Sequence, residues 1–135
     1  MYKETLNNWK EKDLFDWLSK NKYKTLVNSK NPISRWDCYD IETGHRIELK
    51  CRRKHYETLI LEKSKYDALI LESSKHLDIP IYINSTPEGV FLFNLHNIAI
   101  KWYLKSLPAS TEFQRRIWVK KEITELNINK AIKLK

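Results

Sequence analysis

The chain is poor in residues that break or loosen a backbone. Among 135 residues there are two glycines and four prolines, which leaves little room for linkers between domains. No apolar run approaches the roughly 20 residues needed to cross a bilayer. Met1-Tyr2-Lys3-Glu4 also lacks the pattern of a secretory leader. These absences are read as a soluble, intracellular, cytoplasmic protein. Cysteine is scarce as well. Cys38 and Cys51 are the only two, and without paired histidines nearby they make a poor zinc site. Acidic residues are outnumbered: 25 Lys and Arg stand against 17 Asp and Glu, a formal net charge of +8. A basic surface favours a polyanionic partner, most often nucleic acid, with acidic membrane or protein surfaces as alternatives. With 41% apolar residues the chain can build a real core, and 1–135 reads as a single domain without internal repeats or low-complexity segments.

The most informative stretch runs from Trp36 to Arg52. Ile41 ends one β-prone run and Ile47 begins another, with Glu42-Thr43-Gly44-His45 between them, so the stretch reads as a β-hairpin. A turn centred between Thr43 and Gly44 sets Asp37 opposite Lys50 and Tyr39 opposite Glu48. Asp37, Tyr39, Glu48 and Lys50 then share one face, with Asp40, Arg46 and Leu49 assigned to the other. Cys38 and Cys51 project away from the acidic cluster, as reduced core residues. Two partly buried carboxylates on one face repel each other, and one lysine offsets this only in part. A divalent cation between them removes the conflict. Magnesium accepts one or two carboxylates with waters completing its shell. A lysine beside it, its pKa lowered, is placed to orient or deprotonate a water.

An Asp on one strand and Glu48-Leu49-Lys50 on the next resemble the signature of the PD-(D/E)XK nuclease superfamily. Trp36 stands where the signature has proline, and the gap from Asp37 to Glu48 is short, as a tight hairpin requires. The resemblance implies that Asp37, Glu48 and the backbone carbonyl of Leu49 bind Mg2+, for which Mn2+ can substitute, and that Lys50 assists the attacking water. By the same resemblance Glu11, on the first helix, is the candidate for a further metal ligand, with Glu4 as second choice. The competing reading of Asp37, Glu48 and Lys50 is a plain cross-strand salt bridge on a solvated sheet face.

Taken in order, Glu4 to about Asn21 reads as a helix, its apolar stripe formed by Leu14, Phe15 and Leu18 and widened by Leu6, Trp9 and Trp17. Lys22 to Val27 is a candidate short strand. Asn28 to Pro32 reads as a loop, with Ser29, Lys30 and Arg35 as candidates for the rim of the site. After Lys50 comes the densest basic stretch, where Arg52, Arg53 and Lys54 are candidates for phosphate contact and Tyr56 for stacking. His55 reads as a general base or an exposed loop residue, with the loop preferred. Thr58 to Leu61 is a strand. Ser64 then offers an N-cap to a helix ending near Leu77, with Tyr66, Leu69, Ile70 and Leu77 as its buried stripe. Lys63 and Lys65 oppose the helix dipole there, which makes Lys65 a secondary candidate for substrate contact. Ile79–Ser85 and Gly89–Leu95 form a second hairpin, apolar enough to be central. Asn97 to Leu107 is expected to be helical, with Ile98, Trp102 and Leu104 inward. Ile117 to Ile123 is readable as an edge strand or a helix, and Asn127 to Lys135 as a basic, partly mobile tail.

The order helix, strand, hairpin, helix, hairpin is similar to the αβββαβ core of the superfamily, in an α/β, restriction-endonuclease-like fold with a mixed central sheet. The likeness covers about residues 4–95, with 96–135 as a C-terminal addition. It resembles most the phage or mobile-element nucleases and archaeal-type Holliday-junction resolvases. It implies a Mg2+-dependent DNA endonuclease that hydrolyses phosphodiester bonds with metal-activated water, with branched DNA among its substrates and a homodimer as a plausible assembly. The alternatives are a nucleic-acid-binding module that keeps the fold without the chemistry, and a basic interaction protein whose charged hairpin is structural.

Overall fold

A computed structural model describes residues 8–29, 37–108 and 117–135. The described chain runs α1 (Glu11–Asn21), β1 (Leu26–Asn28), β2 (Asp37–Asp40), β3 (His45–Cys51), β4 (Thr58–Glu62), α2 (Lys63–His76), β5 (Ile79–Thr86), β6 (Gly89–Asn94), β7 (Tyr103–Pro108), β8 (Trp118–Asn127) and β9 (Ile132–Lys133). A six-stranded sheet has the order β1-β2-β3-β5-β6-β9, and β4, β8 and β7 form a second, three-stranded sheet. β3 and β5 are parallel and joined through α2, while the other pairs in the central sheet are antiparallel. This is the mixed α/β, restriction-endonuclease-like architecture expected from the sequence.

Alternation along the strands separates two apolar layers. On one face Cys38, Ile47, Leu49, Ile81, Ile83, Val90 and Leu92 pack under Leu14, Trp17 and Leu18 of α1. On the other, Tyr82, Phe91 and Phe93 meet Leu69 of α2 together with Leu59, Leu61 and Leu126 of the second sheet. Residues alternating with Ile47 and Leu49, namely Arg46, Glu48 and Lys50, therefore face the α2 side. The β5–β6 hairpin is buried on both faces, as its apolar run demands. Both cysteines are free, Cys38 inside the α1 layer and Cys51 packed against it. No helix among the described residues is long and apolar enough to cross a membrane.

Several local expectations are overturned. The described α1 begins at Glu11, where Asp13 accepts a hydrogen bond from the Lys10 amide at 2.8 Å. Glu4 and Leu6 lie outside the described residues. Tyr23 is not a strand residue but a core one, 1% exposed. α2 is capped at Glu62 rather than Ser64, because Lys63 already lies in the helix and pairs with Asp67 one turn on, at 2.8 Å. Leu77 is not part of the buried stripe. It is the C-cap residue, left-handed at φ 57° and 93% exposed.

The segment from Asn97 to Leu107 is not a helix. Ile98, Ile100 and Trp102 all pack on the α2-side layer at a spacing of two, the period of extended chain, and Tyr103 onwards forms β7. Leu104, expected inward, is 65% exposed. Of the two readings of Ile117 to Ile123, the strand holds, and it lies in the middle of its sheet rather than at an edge. The C-terminal residues are ordered on the core: β9 pairs with β6, and the Leu134 amide donates to the Val90 carbonyl at 2.7 Å.

Candidate active site

The geometry of the site begins at the turn between β2 and β3. Asp40 is 2% exposed, and its carboxylate accepts from the amide and hydroxyl of Thr25 (3.1 and 2.8 Å) and of Thr43 (3.0 and 2.8 Å). The Gly44 amide donates to the Asp40 carbonyl at 3.0 Å, with Gly44 at φ 70°. Locking Thr43 back onto Asp40 makes the connection the four residues 41–44 and moves the centre of the turn one residue toward the N-terminus from the position the sequence suggests. The register shifts by two. Asp37 pairs with Glu48, Tyr39 with Arg46 and Asp40 with His45. An even shift keeps Asp37, Tyr39, Glu48 and Lys50 on one face, and it sets the two carboxylates directly opposite each other rather than Asp37 opposite Lys50. Arg46, expected on the far side, joins this face, as its spacing of two from Glu48 requires. Its guanidinium lies 4.9 Å from the Tyr39 ring centre and its Nε donates to Asp78 at 3.0 Å.

Glu48 is 16% exposed at its side chain. Burial, then a hydrogen bond to Asp37, then the charge of Asp37 push its carboxyl well above the usual carboxylate range, opposed by Lys65 and Lys50. This raised affinity for a proton goes with the hydrogen bond between Glu48 and Asp37. Lys65, projecting from the first turn of α2, brings Nζ within 3.8 Å of Glu48 Oε1, so it meets the acidic pair itself. Lys50 is partly buried and lines an open groove of about 320 Å³ with Cys51, Arg52, Arg53, Lys54 and Tyr56. Lys50, on the strand face that carries Glu48, thus also lines the groove of the most basic stretch of the chain.

The members of that stretch divide. Arg53, Lys54 and Tyr56 are exposed, Tyr56 by 55%. Arg52 is half-buried, and its guanidinium is engaged by protein: Nε donates to Asn84 Oδ1 at 2.9 Å, and NH2 to the Tyr82 hydroxyl at 3.1 Å and to the Ile60 carbonyl. It clasps β3 to β4 and β5. His55 is not an exposed loop residue. Its ring meets Thr86 Oγ1 at 2.8 Å and packs 5.6 Å from Phe91. Leu49 buries its side chain in the α1 layer, leaving its main chain between Glu48 and Lys50, beyond the last described β2–β3 pair. Glu11 stands in the first turn of α1, and its charge reaches Cys51. Among the described residues no three His, Cys, Asp or Glu side chains converge as a metal cluster. The Ser29 amide donates to the Asp37 carbonyl at 2.8 Å, tying β1 to the site. Lys30, Arg35 and Trp36 lie outside the described residues.

Sequence reasoning passed over Asp40, Asn84 and Tyr82. Asp40 carried a usable signal, an acidic side chain three residues before a threonine in a turn. Asn84 and Tyr82 carried none, since only the parallel β3–β5 pairing brings them beside Lys50 and Glu48.

No family model matches the chain, and no curated protein does. Among solved structures, the chain is similar to Hjc of Archaeoglobus fulgidus, a Holliday junction resolvase from an archaeal hyperthermophile. The TM-score is 0.58 at 14% identity, over 91% of this chain and 95% of that one. The likeness establishes a shared fold.

Proposed function

We propose that this chain is a divalent-metal-dependent DNA endonuclease whose substrate class is branched DNA. The observation that carries the reading is the direct opposition of Asp37 and Glu48 across β2 and β3, with Lys50 on the same face. Two partly buried carboxylates whose charges conflict, with the proton affinity of Glu48 raised by burial and by Asp37, are the donor chemistry of a hard-cation site. Asp37, Glu48 and the Leu49 carbonyl would hold Mg2+, or Mn2+ in its place. When bound, the ion supplies Lewis-acid activation of the scissile phosphate and of water. Lys50 would orient the attacking water, while Arg53, Lys54 and Tyr56 would hold the DNA backbone along the groove. Lys65, with its Nζ 3.8 Å from Glu48, would reach the same substrate. The choice of branched DNA rests on the fold shared with a Holliday junction resolvase. Cutting two strands of such a substrate favours a homodimer.

The test is cleavage of duplex, nicked, forked and four-way DNA in Mg2+, Mn2+ and EDTA. The expected result is metal-dependent cleavage preferring branched substrates, abolished by Glu48→Ala, and by Lys50→Ala with DNA binding retained. Salt-sensitive binding without cleavage of any substrate would leave a nucleic-acid-binding module instead.

A further inference from the structure

Between β3 and β4 the chain turns Arg53, Lys54 and Tyr56 outward, while the residues around them are tied to the core. At one end the Arg52 amide donates to the Ser85 carbonyl at 2.8 Å, and at the other the Glu57 carbonyl accepts from the Ile128 amide at 2.9 Å. His55 holds the middle. Its neighbours Lys54 and Tyr56 are exposed, yet its own side chain is 11% exposed. An imidazole buried in a basic run needs a hydrogen-bond partner. It finds one in Thr86 Oγ1, 2.8 Å from Nδ1, a hydroxyl that serves either tautomer of the ring. Thr86 is fully buried at the end of β5, and the same oxygen accepts from the Glu88 amide at 3.1 Å. The ring also packs 5.6 Å from Phe91 of β6. Glu88, mostly exposed, lies 3.9 Å from Nε2, too far for a hydrogen bond. The loop is thus fastened through His55 to the hairpin that is buried on both faces.

The groove along this loop is lined by Lys50, Cys51, Arg52, Arg53, Lys54 and Tyr56, four cations and no carboxylate. Arg53 and Lys54 are long side chains, and ordering a mobile backbone beneath them would be charged against any anion they bind. A backbone set beforehand removes that cost. His55 is too deeply buried to serve as a main contact itself, so its effect on an anion passes through the residues on either side of it.

We infer that His55 is a positioning residue, whose bond to Thr86 sets the 53–56 backbone so that Arg53, Lys54 and Tyr56 meet the phosphates of the DNA substrate together. This deepens the nuclease reading and rests on it for the identity of the anion. The test measures affinity for duplex DNA in EDTA, so that cleavage does not intrude, over a range of salt. His55→Ala should weaken binding about tenfold at low salt. It should also lower the log–log salt slope by about 0.9 to 1.8, the share of one or two phosphate contacts. His55→Asn, whose amide reaches the position of Nδ1, should recover most of the affinity. In a protein already carrying Arg53→Ala and Lys54→Ala, His55→Ala should change affinity by less than about twofold, because the groups it positions are gone. Thr86→Val removes the same bond from the other side and should reproduce His55→Ala, which keeps the test decisive if His55→Ala does not fold by circular dichroism. Unchanged affinity and slope in the folded variants overturn the inference, since the bond would then serve stability alone. An undiminished loss in the background without Arg53 and Lys54 overturns it too. Absence of metal-dependent cleavage on every substrate, with the coupling of His55 to Arg53 and Lys54 intact, would sink the nuclease reading alone. Cleavage with His55-independent affinity would sink only this inference.

Discussion

Asp37 and Glu48 stand directly opposite each other in the β2–β3 ladder, on a face that α2 partly covers. This is a poor place for two acids unless something positive joins them. Lys65 and Lys50 both act on Glu48, yet burial and Asp37 outweigh them. An ordinary cross-strand salt bridge would place each acid opposite a base. Here each acid faces the other, which separates the pair from a structural bridge.

The first prediction concerns pH and metal. Glu48 keeps its proton to higher pH in the folded chain than in the unfolded one, where its value is the ordinary 4.5. Its contribution to stability is therefore full below that value and lost as pH rises through the folded one. In EDTA, melting temperature should fall as pH is raised from 5 toward 9, and Glu48→Gln should flatten that slope. Mg2+ should restore the wild type at high pH, by about 2.7 kcal/mol at a hundredfold excess over its dissociation constant. A wild-type profile in EDTA that matches Glu48→Gln would show that the pair is not in conflict.

Arg52 and its neighbours should separate cleanly. Arg52→Ala removes hydrogen bonds to Asn84, Tyr82 and Ile60 and strands the buried Asn84 oxygen, while the Tyr82 hydroxyl and the Ile60 carbonyl keep their own bond at 2.9 Å. It should cost about 2–3 kcal/mol in urea denaturation, with little change in the salt dependence of DNA binding. Arg53→Ala and Lys54→Ala should each stay within about 0.5 kcal/mol of wild-type stability. Each should instead reduce the log–log salt slope on duplex DNA by about 0.9. The opposite pattern would return Arg52 to the role of phosphate contact that its sequence neighbourhood suggests.

What the sequence made legible followed from short-range rules. The α1 stripe of Leu14, Trp17 and Leu18, the apolar β5–β6 hairpin and the shared face of Asp37, Glu48 and Lys50 all depend on periods of 3.6 or 2 within one or two elements. What escaped depended on partners distant in sequence. The two-residue register shift comes from Thr25, on the approach to β1, as much as from the turn itself. Arg52 looked like a phosphate ligand because its clasp lies 30 and 32 residues away, at Tyr82 and Asn84. β7 looked helical because Ile98 and Trp102 are four apart, a spacing that extended chain also satisfies when Ile100 packs between them.

Leu77 offers a stabilising substitution remote from the site. A left-handed residue with a β-carbon is disfavoured, and at 93% exposure Leu77 gains almost no burial in return. The turn it makes is otherwise sound, since the Asp78 amide donates to the Ser73 carbonyl at 2.8 Å. Leu77→Gly should therefore raise stability by about 1 kcal/mol, visible as a melting temperature higher by a few degrees, with DNA affinity unchanged. A loss of stability would mean that flexibility gained by the unfolded chain exceeds the strain relieved in the fold.

The register that makes the acidic pair is itself open to test through Asp40, which is buried and lies three residues from Asp37 on the alternate face of β2. Its carboxylate accepts four hydrogen bonds, from Thr25 and Thr43. Burial alone would raise its pKa, and these donors instead hold it below the usual 3.8. A depressed carboxylate contributes stability that is present above its ordinary value and lost as pH falls through the folded one. Asp40→Asn should accordingly remove part of the acid-induced loss of stability seen in the wild type. Asp40→Ala should cost about 2–4 kcal/mol, because it leaves the Thr25 and Thr43 amides without their acceptor. Under conditions where the Asp40→Ala protein remains folded by circular dichroism, cleavage should still fall, since a hairpin free to shift by two would set Asp37 against Lys50 instead of Glu48. Full activity in a folded Asp40→Ala protein would show that the β2–β3 pairing is held by the sheet alone, and that the turn follows the register instead of setting it.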